Sequence, residues 1–377
     1  YLEAKYLRGI AEAKYLNNGR FITKGTWAIL VDGENSGEVF EIKEDGYLGS
    51  TFKVLYISGS LYSYYVLFFL SLHKAYFRNN KKGAAIPHLN KELFFNMTFP
   101  LPPLAEQKRI VAKIEELLPY VDRYEKAWNK LEELNKRFPT DLQKSILQLA
   151  IQGKLVEQRP EEGTAEELYQ QIQAEKQRLI KEGKLKKEKP LPEITEDEIP
   201  FDIPESWKWV RVSSIVTLNP KNDIHDDTEV GFVPMPLVSD GFKNQHTFEI
   251  KKWKNIKSGF THFANNDIGI AKITPCFQNR KSVIFKDLPN GFGAGTTELS
   301  IVRVINDSLC REYLLWFFKT DYFITNGVKS FTGTAGQQRI HKDYLATCLI
   351  PLPPLAEQKR IVKRLEEILP LCEKLKK

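Results

Sequence analysis

Twelve consecutive residues, PLPPLAEQKRIV, occur at Pro100–Val111 and again, letter for letter, at Pro351–Val362, an offset of 251 residues. That period is far too long for a solenoid and fits a duplicated domain. The match runs on past the block. AKIEELLPYVDRYEK follows the first copy and KRLEEILPLCEKLKK the second, with Glu-Glu, apolar pairs and a proline in step. Upstream the match is looser: Ile86–Leu89 faces Gln337–Ile340, Lys91-Glu92 faces Lys342-Asp343, and Gly49-Ser50-Thr51 resembles Gly295-Thr296-Thr297. The repeating unit is a globular domain followed by a helical segment. The second globular unit opens near Pro204, at PESWKWVRV, and the matching opening of the first would precede Tyr1, so the chain is expected to be part of a longer protein.

After Pro103 the pattern is helical. Ile110, Ile114, Leu117, Val121, Tyr124, Trp128, Leu131, Phe138 and Leu142 follow spacings of three and four, with Asn135 in the same seam and charged residues between. This is the apolar stripe of a coiled coil or helical bundle. The PPL entrance and Glu106 suit a helix start, through a preset φ and an anion at the positive end of the dipole. Pro119 and Pro139 predict a bent helix or two stacked pieces, and Gly153 predicts its end. Two related helices, one after each domain, are expected to pair antiparallel. From Glu161 a charged stretch predicts a short helix. The proline- and acid-rich KEKPLPEITEDEIPFDIPES then reads as an extended linker.

Residues 204–350 alternate as strands do at Trp209–Val212, Ile268–Ile273, Ser282–Phe285 and Leu299–Val304, with an amphipathic helix between Leu309 and Phe323. In the first unit, strands around Trp27–Val31, Glu38–Ile42 and Phe52–Ile57 precede an apolar helix around Tyr62–Phe77. The expected fold class is α+β: two globular α/β domains separated by long helices that form an antiparallel coiled coil. The expected divisions are 1–99, the helix 100–160, the charged helix and linker 161–203, 204–350, and a second helix from 351 to 377.

Composition adds exclusions. With 42% hydrophobic and 27% charged residues the chain is neither disordered nor a disulfide scaffold. The longest apolar stretch, near Tyr64–Leu70, is far short of the ~20 residues of a membrane span. No secretory signal is recognised, and a cytoplasmic protein with no membrane partner is expected. Cys276, Cys310, Cys348 and Cys372 form no C-x-x-C pair and read as reduced thiols in packing roles.

The sequence holds no phosphate loop, no H-E-x-x-H and no G-x-S-x-G. GFGAGTT at Gly291–Thr297 lies between two apparent strands and reads as a hairpin turn. Asp32, Glu41 and Lys43 have the carboxylate–carboxylate–lysine order of metal-dependent nucleases, but the second unit reads Val283-Ile284-Phe285-Lys286 at the matching stretch, with no acid. No catalytic residue and no metal site are assigned. What remains is basic and amide-rich. Lys251–Lys286 holds eight Lys/Arg against Asp267 alone, interleaved with aromatics, and KSFTGTAGQQRIHK (Lys329–Lys342) carries no acid. Lys and Arg suit phosphates, Arg suits guanine and Gln suits adenine. The candidate DNA-binding residues are Lys251, Lys252, Trp253, Lys254, Lys257, Gln278, Asn279, Arg280, Lys281, Lys329, Thr332, Gln337, Gln338 and Arg339, with Lys24, Lys81, Lys82 and His88 in the first unit.

The duplicated block, the opening IPESWKWVRV and the helix end SILQLAIQGKLV together resemble the specificity subunit of type I restriction–modification systems. The resemblance covers nearly the whole chain. It implies that each globular unit is a target recognition domain reading one half of a split double-stranded DNA site. It implies that the helices are spacers that pair antiparallel and dock two copies of a methyltransferase (modification) subunit, with restriction subunits joining the full complex. S-adenosylmethionine would belong to the methyltransferase, and this chain would hold no cofactor. Leu104, Glu106, Gln107, Ile110 and Val111, with their copies Leu355, Glu357, Gln358, Ile361 and Val362, are the candidate partner-binding residues. The alternatives are a module of the same build in a related methylation or defence complex, and a free-standing nuclease using Asp32, Glu41 and Lys43.

Overall fold

The same antiparallel sheet stands at the centre of each half of the chain. The computed structural model describes residues 1–83, 87–187, 190–334 and 336–375; Ile86, Ala335, Lys376 and Lys377, and Glu188 and Lys189 of the expected linker, lie outside the described residues. Two compact units divide between Leu131 and Glu132.

The first unit contains α1 (Ala4–Leu7), β1 (Arg20–Ile22), β2 (Trp27–Leu30), β3 (Val39–Glu41), β4 (Gly46–Leu48), β5 (Phe52–Leu55), α2 (Ser63–Leu72), α3 (Lys74–Asn79) and α4 (Lys91–Phe95). The strands pair in the orders β3-β2-β5 and β1-β4. The central strand reads as a continuous apolar run because both its faces are covered. Ala28 and Leu30 pack with Leu2, Ile42 and Phe52, while Ile29 and Val31 pack with Leu70, Phe77 and Leu89.

One 48-residue helix, α5 (Leu104–Ile151), starts in this unit and ends in the next. Of the two expected outcomes at Pro119 and Pro139, the division into two pieces does not occur: an interior proline removes a single ladder bond, and the helix continues through both. It stops where predicted. Gly153 takes a φ of 69°, and Lys154 N–H closes on Leu149 O at 2.9 Å, a left-handed cap suited to glycine. A Cβ there would also stand 2.4 Å from Pro204 Cγ.

The second unit adds α6 (Ala165–Lys181), β6 (Lys208–Arg211), α7 (Val212–Ile215), β7 (Val216–Leu218), β8 (Glu229–Val233), β9 (Glu249–Lys252), β10 (Thr261–Ala264), β11 (Ile268–Ala271), β12 (Ser282–Ile284), β13 (Phe292–Gly295), β14 (Leu299–Val304), α8 (Arg311–Phe318), α9 (Asp321–Lys329), α10 (Tyr344–Thr347), β15 (Leu349–Leu352) and α11 (Leu355–Lys374). Its sheets run β12-β11-β14-β7, β10-β13-β8-β9 and β15-β6. The order β12-β11-β14 repeats β3-β2-β5, and the pair β10-β13 repeats β1-β4. The duplication is thus one of structure across these five strands. Even the closing rungs agree: Leu89 N–H donates to Val31 O and Gly33 N–H to Pro87 O, as Ile340 N–H does to Lys272 O and Thr274 N–H to Gln338 O.

Two expectations fail here. Residues 292–295 of the glycine-rich stretch form β13, not a hairpin turn. Gly293 and Gly295 are required because a Cβ would meet Phe263, Gly231 O or Val233 O at 2.4–2.7 Å. The proline-rich stretch after α6 is not a free linker, while α6 itself is the short helix that the charged run predicts. Ala165, Leu168 and Ile172 of α6 join the main core, and the Arg211 guanidinium donates to Pro192 O and Glu193 O at 2.9 and 3.1 Å and pairs with Glu198. The last turns of α5 run antiparallel to α11. Ile146, Leu147, Ala150 and Ile151 share a core with Ile361, Leu365, Leu369 and Cys372, and Gln143 Nε2 donates to Glu373 Oε1 at 2.7 Å.

Candidate nucleic-acid interface

The candidate residues of the second unit fall on two separate edges. Lys251, Lys252, Lys254 and Lys257 lie along and just after β9, at the margin of the β10-β13-β8-β9 sheet. Lys251 Nζ stands 3.7 Å from the centre of the Phe232 ring and 3.0 Å from Glu249. Asp226 and Asp227, in the loop before β8, hold the others: Lys252 and Lys254 reach Asp227 at 3.6 and 2.9 Å, and Lys257 reaches Asp226 at 2.7 Å. These cations keep the Asp227 carboxyl below its ordinary range. The four lysines therefore form a row that three carboxylates offset in large part. Trp253 does not belong with them. It is 2% exposed and packs with Val230, Ile256 and Ala294 under the row.

The second edge joins residues 273–281 to residues 332–339, which sequence alone could not bring together. Arg339 bridges Ile273 and Thr332 through its backbone. Gln278, Asn279, Thr332 and Gln337 are exposed, and the Gln278 amide oxygen accepts from Thr274 Oγ1. Lys281 Nζ donates to Met235 O at 3.2 Å, and Lys329 Nζ to Asn326 Oδ1 at 3.3 Å. Arg339 is not a free base reader. Its guanidinium makes a two-pronged pair with Glu298 at 2.8 and 2.7 Å, which holds the Glu298 carboxyl below its usual range. Arg280 is likewise engaged, with Asp321, with Lys319 O at 3.0 Å and over the Phe242 ring. Gln338 keeps a half-buried side chain while its carbonyl closes the rung to Thr274.

In the first unit the position matching Arg339 is His88, and it too faces a carboxylate: Nδ1 lies 2.7 Å from Asp32 Oδ1. Lys82 pairs with Glu92 at 3.1 Å, Lys81 Nζ donates to Glu34 O at 3.1 Å, and Lys24 is exposed beside Asp45, which accepts from its backbone N–H. The nuclease residues are used otherwise. Asp32 holds His88, and Glu41 accepts from Tyr64 OH at 3.4 Å. Among the described residues no three His, Cys, Asp or Glu side chains gather as a metal site would require, and no helix is long and apolar enough to cross a membrane.

Most of the candidate partner-binding residues prove to be internal. Gln107 and Gln358 are 1% and 0% exposed. Each amide oxygen accepts the backbone N–H at the start of a helix, Tyr62 before α2 and Cys310 before α8, at 2.9 and 3.0 Å. Each amide nitrogen donates to the proline carbonyl five residues back, Pro102 or Pro353, at 2.9 Å. A third bond completes the joint: Tyr65 OH donates to Pro100 O at 3.2 Å, and Tyr313 OH to Pro351 O at 2.7 Å. The two tyrosines were missed in the sequence; their one signal is a shared place three residues after the residue that opens each helix. Val111, Glu357, Ile361 and Val362 are also buried, Ile110 and Leu355 half-buried, and only Leu104 and Glu106 are exposed.

The sequence model of the Type I restriction modification DNA specificity domain matches residues 2–135 and 204–377. The specificity subunits of the type I restriction enzymes EcoAI and EcoEI of Escherichia coli are 51% and 48% identical to this chain over 235 residues, 62% of this chain and 40% of each relative. That of MjaVIII of Methanocaldococcus jannaschii is 26% identical over 99% of this chain and 80% of the relative. A solved HsdS subunit from Thermoanaerobacter tengcongensis is 20% identical, with a TM-score of 0.42, over 94% of this chain and 75% of that one. The matched region spans 40% of the length of these two Escherichia coli relatives.

Proposed function

The chain belongs to the type I restriction modification DNA specificity family, and on that premise we propose that it is a non-catalytic subunit that reads a bipartite, asymmetric double-stranded DNA site, one part with each globular unit. One observation carries the reading: the two units share a sheet and a joint, yet differ in side chain on the loop that the shared rungs present. Pro87-His88 stands in one where Gln338-Arg339 stands in the other. A common frame with divergent loops is what two readers of different half-sites need.

The exposed seam of α5, with Leu117, Val121, Tyr124, Trp128 and Leu131, is a pairing face for a further helix of the antiparallel coil. The remaining surface of the helices docks two methyltransferase subunits, which bring S-adenosylmethionine, and through them restriction subunits in the cytoplasm. Leu104 and Glu106, the exposed members of the block, stay in that surface.

A methylation map of a host carrying the complete system tests the proposal. The expected outcome is a split motif with two unlike halves, and a single continuous motif would refute it. Copurification should give two methyltransferase subunits for each copy of this chain. Incubation of the chain alone with Mg²⁺ or S-adenosylmethionine should give no turnover.

A further inference from the structure

Lys319, the residue that closes α8, is a lysine with no exposed surface. A buried ammonium is tolerated only where hydrogen bonds replace its water. Here Nζ donates at 2.9 Å to two carbonyls from two different loops, Gly241 O and Arg280 O. Arg280 returns the bond, with Nε donating to Lys319 O at 3.0 Å, and anchors its far nitrogen on Asp321. Gly241 N–H donates to Asn279 O at 2.8 Å, so the loops 240–243 and 278–281 are also tied directly. Both loops carry a left-handed backbone at the tie, φ 62° at Gly241 and φ 55° at Arg280. For a non-glycine residue that conformation is costly and persists where its surroundings over-determine it.

The outer side of the tied loops is of a different character. Asp240, Lys243, Gln278 and Asn279 are exposed around a cavity of about 400 Å³ whose other wall is Thr140 of α5 and Glu373 of α11. Two amides, two carboxylates and one ammonium make a mixed set of donors and acceptors. Phosphate tracks call for cations, whereas base edges in the major groove call for such a mixture, with Asn or Gln matching adenine and Asp accepting from cytosine.

We propose that Lys319 and Arg280 are positioning residues that strap the loops 240–243 and 278–281 into one rigid edge, and that Gln278 and Asn279 on that edge read bases of duplex DNA. This rests on the DNA-reading function proposed above. It moves base reading away from Arg339, which Glu298 occupies in a two-pronged pair, to the exposed amides of the strapped edge, of which Gln278 is held only by the Thr274 hydroxyl.

The test is selection by the purified chain from a pool of random-sequence duplex DNA, with sequencing of the bound fraction. The parent chain should enrich a motif. Gln278→Ala and Asn279→Ala should each cut discrimination at one base position by roughly tenfold while leaving the other positions intact. Lys319→Met should blur both positions together, with the salt dependence of binding unchanged, since no phosphate contact is lost. If Lys319→Met does not fold, the two alanine variants, whose changes lie at the surface, decide the matter alone. A motif left unaltered by all the folded variants would overturn the assignment of this edge, even if Lys319→Met melts lower. A parent chain that enriches no sequence at all would instead overturn the DNA-reading function, and this inference with it.

Discussion

Glu106 and Glu357 occupy the same place in identical twelve-residue blocks, yet the first is exposed and the second is 1% exposed. Glu357 accepts from Trp207 Nε1 at 2.9 Å and Gln158 Nε2 at 2.6 Å, partners supplied by the chain that follows α5 and by the opening of the second domain. Next to it, Ile361 is fully buried against the end of α5, where its counterpart Ile110 is half-buried. The glutamine face behaves in the opposite way, with Gln107 and Gln358 making the same two bonds in both copies. One helix face is thus committed to the domain before it, whatever that domain is. The other takes its environment from whatever is packed against it.

Four measurements bear on that contrast. The largest effect is expected from Ile361→Ala, a core truncation costing about 2–5 kcal/mol in urea unfolding; Ile110→Ala should cost less than half as much, and equal costs would mean that the two copies are equally covered. Next, Gln107→Ala and Gln358→Ala should each cost about 1–3 kcal/mol, because each strands a helix-start N–H and a proline carbonyl. Similar values at the two sites are expected, and a large effect at one alone would break the equivalence of the joints.

The third test is pH. Burial pushes the Glu357 carboxyl above its ordinary 4.5. The folded state therefore holds that proton more tightly than the unfolded chain. Its contribution is greatest at or below pH 4.5 and is lost as pH rises through the elevated folded value. Glu357→Gln should remove this downward slope of stability with pH, and Glu106→Gln should leave it in place. The smallest effect belongs to the seam of α5: Trp128→Ala, at a side chain 50% exposed, should change the stability of the chain alone by no more than about 0.5 kcal/mol.

The repeat made much of the frame legible. The strands at 27–30, 52–55, 268–271 and 299–304, the helical run after Pro103 and its stop at Gly153 followed from local pattern, but its continuity through Pro119 and Pro139 did not. What failed had its cause far away in sequence. Gly293 and Gly295 look like a turn until the Phe263 ring is set against them. Trp253, Arg280 and Arg339 look like surface residues until a core, Asp321 and Glu298 are brought to them. Charge along the chain shows where cations are plentiful, but their partners arrive only with tertiary structure.

The joint at Gln107 and Gln358 asks very little of the domain it holds: one free backbone N–H at a helix start and one tyrosine hydroxyl three residues later. Everything else in the joint comes from the block itself. A globular unit can therefore drift in sequence, gain or lose loops, or be exchanged wholesale for a stranger with the same short signature, without renegotiating its attachment. Variation at the reading surface and constancy at the attachment are physically uncoupled, which leaves selection free to diversify the first while the second stays identical to the letter.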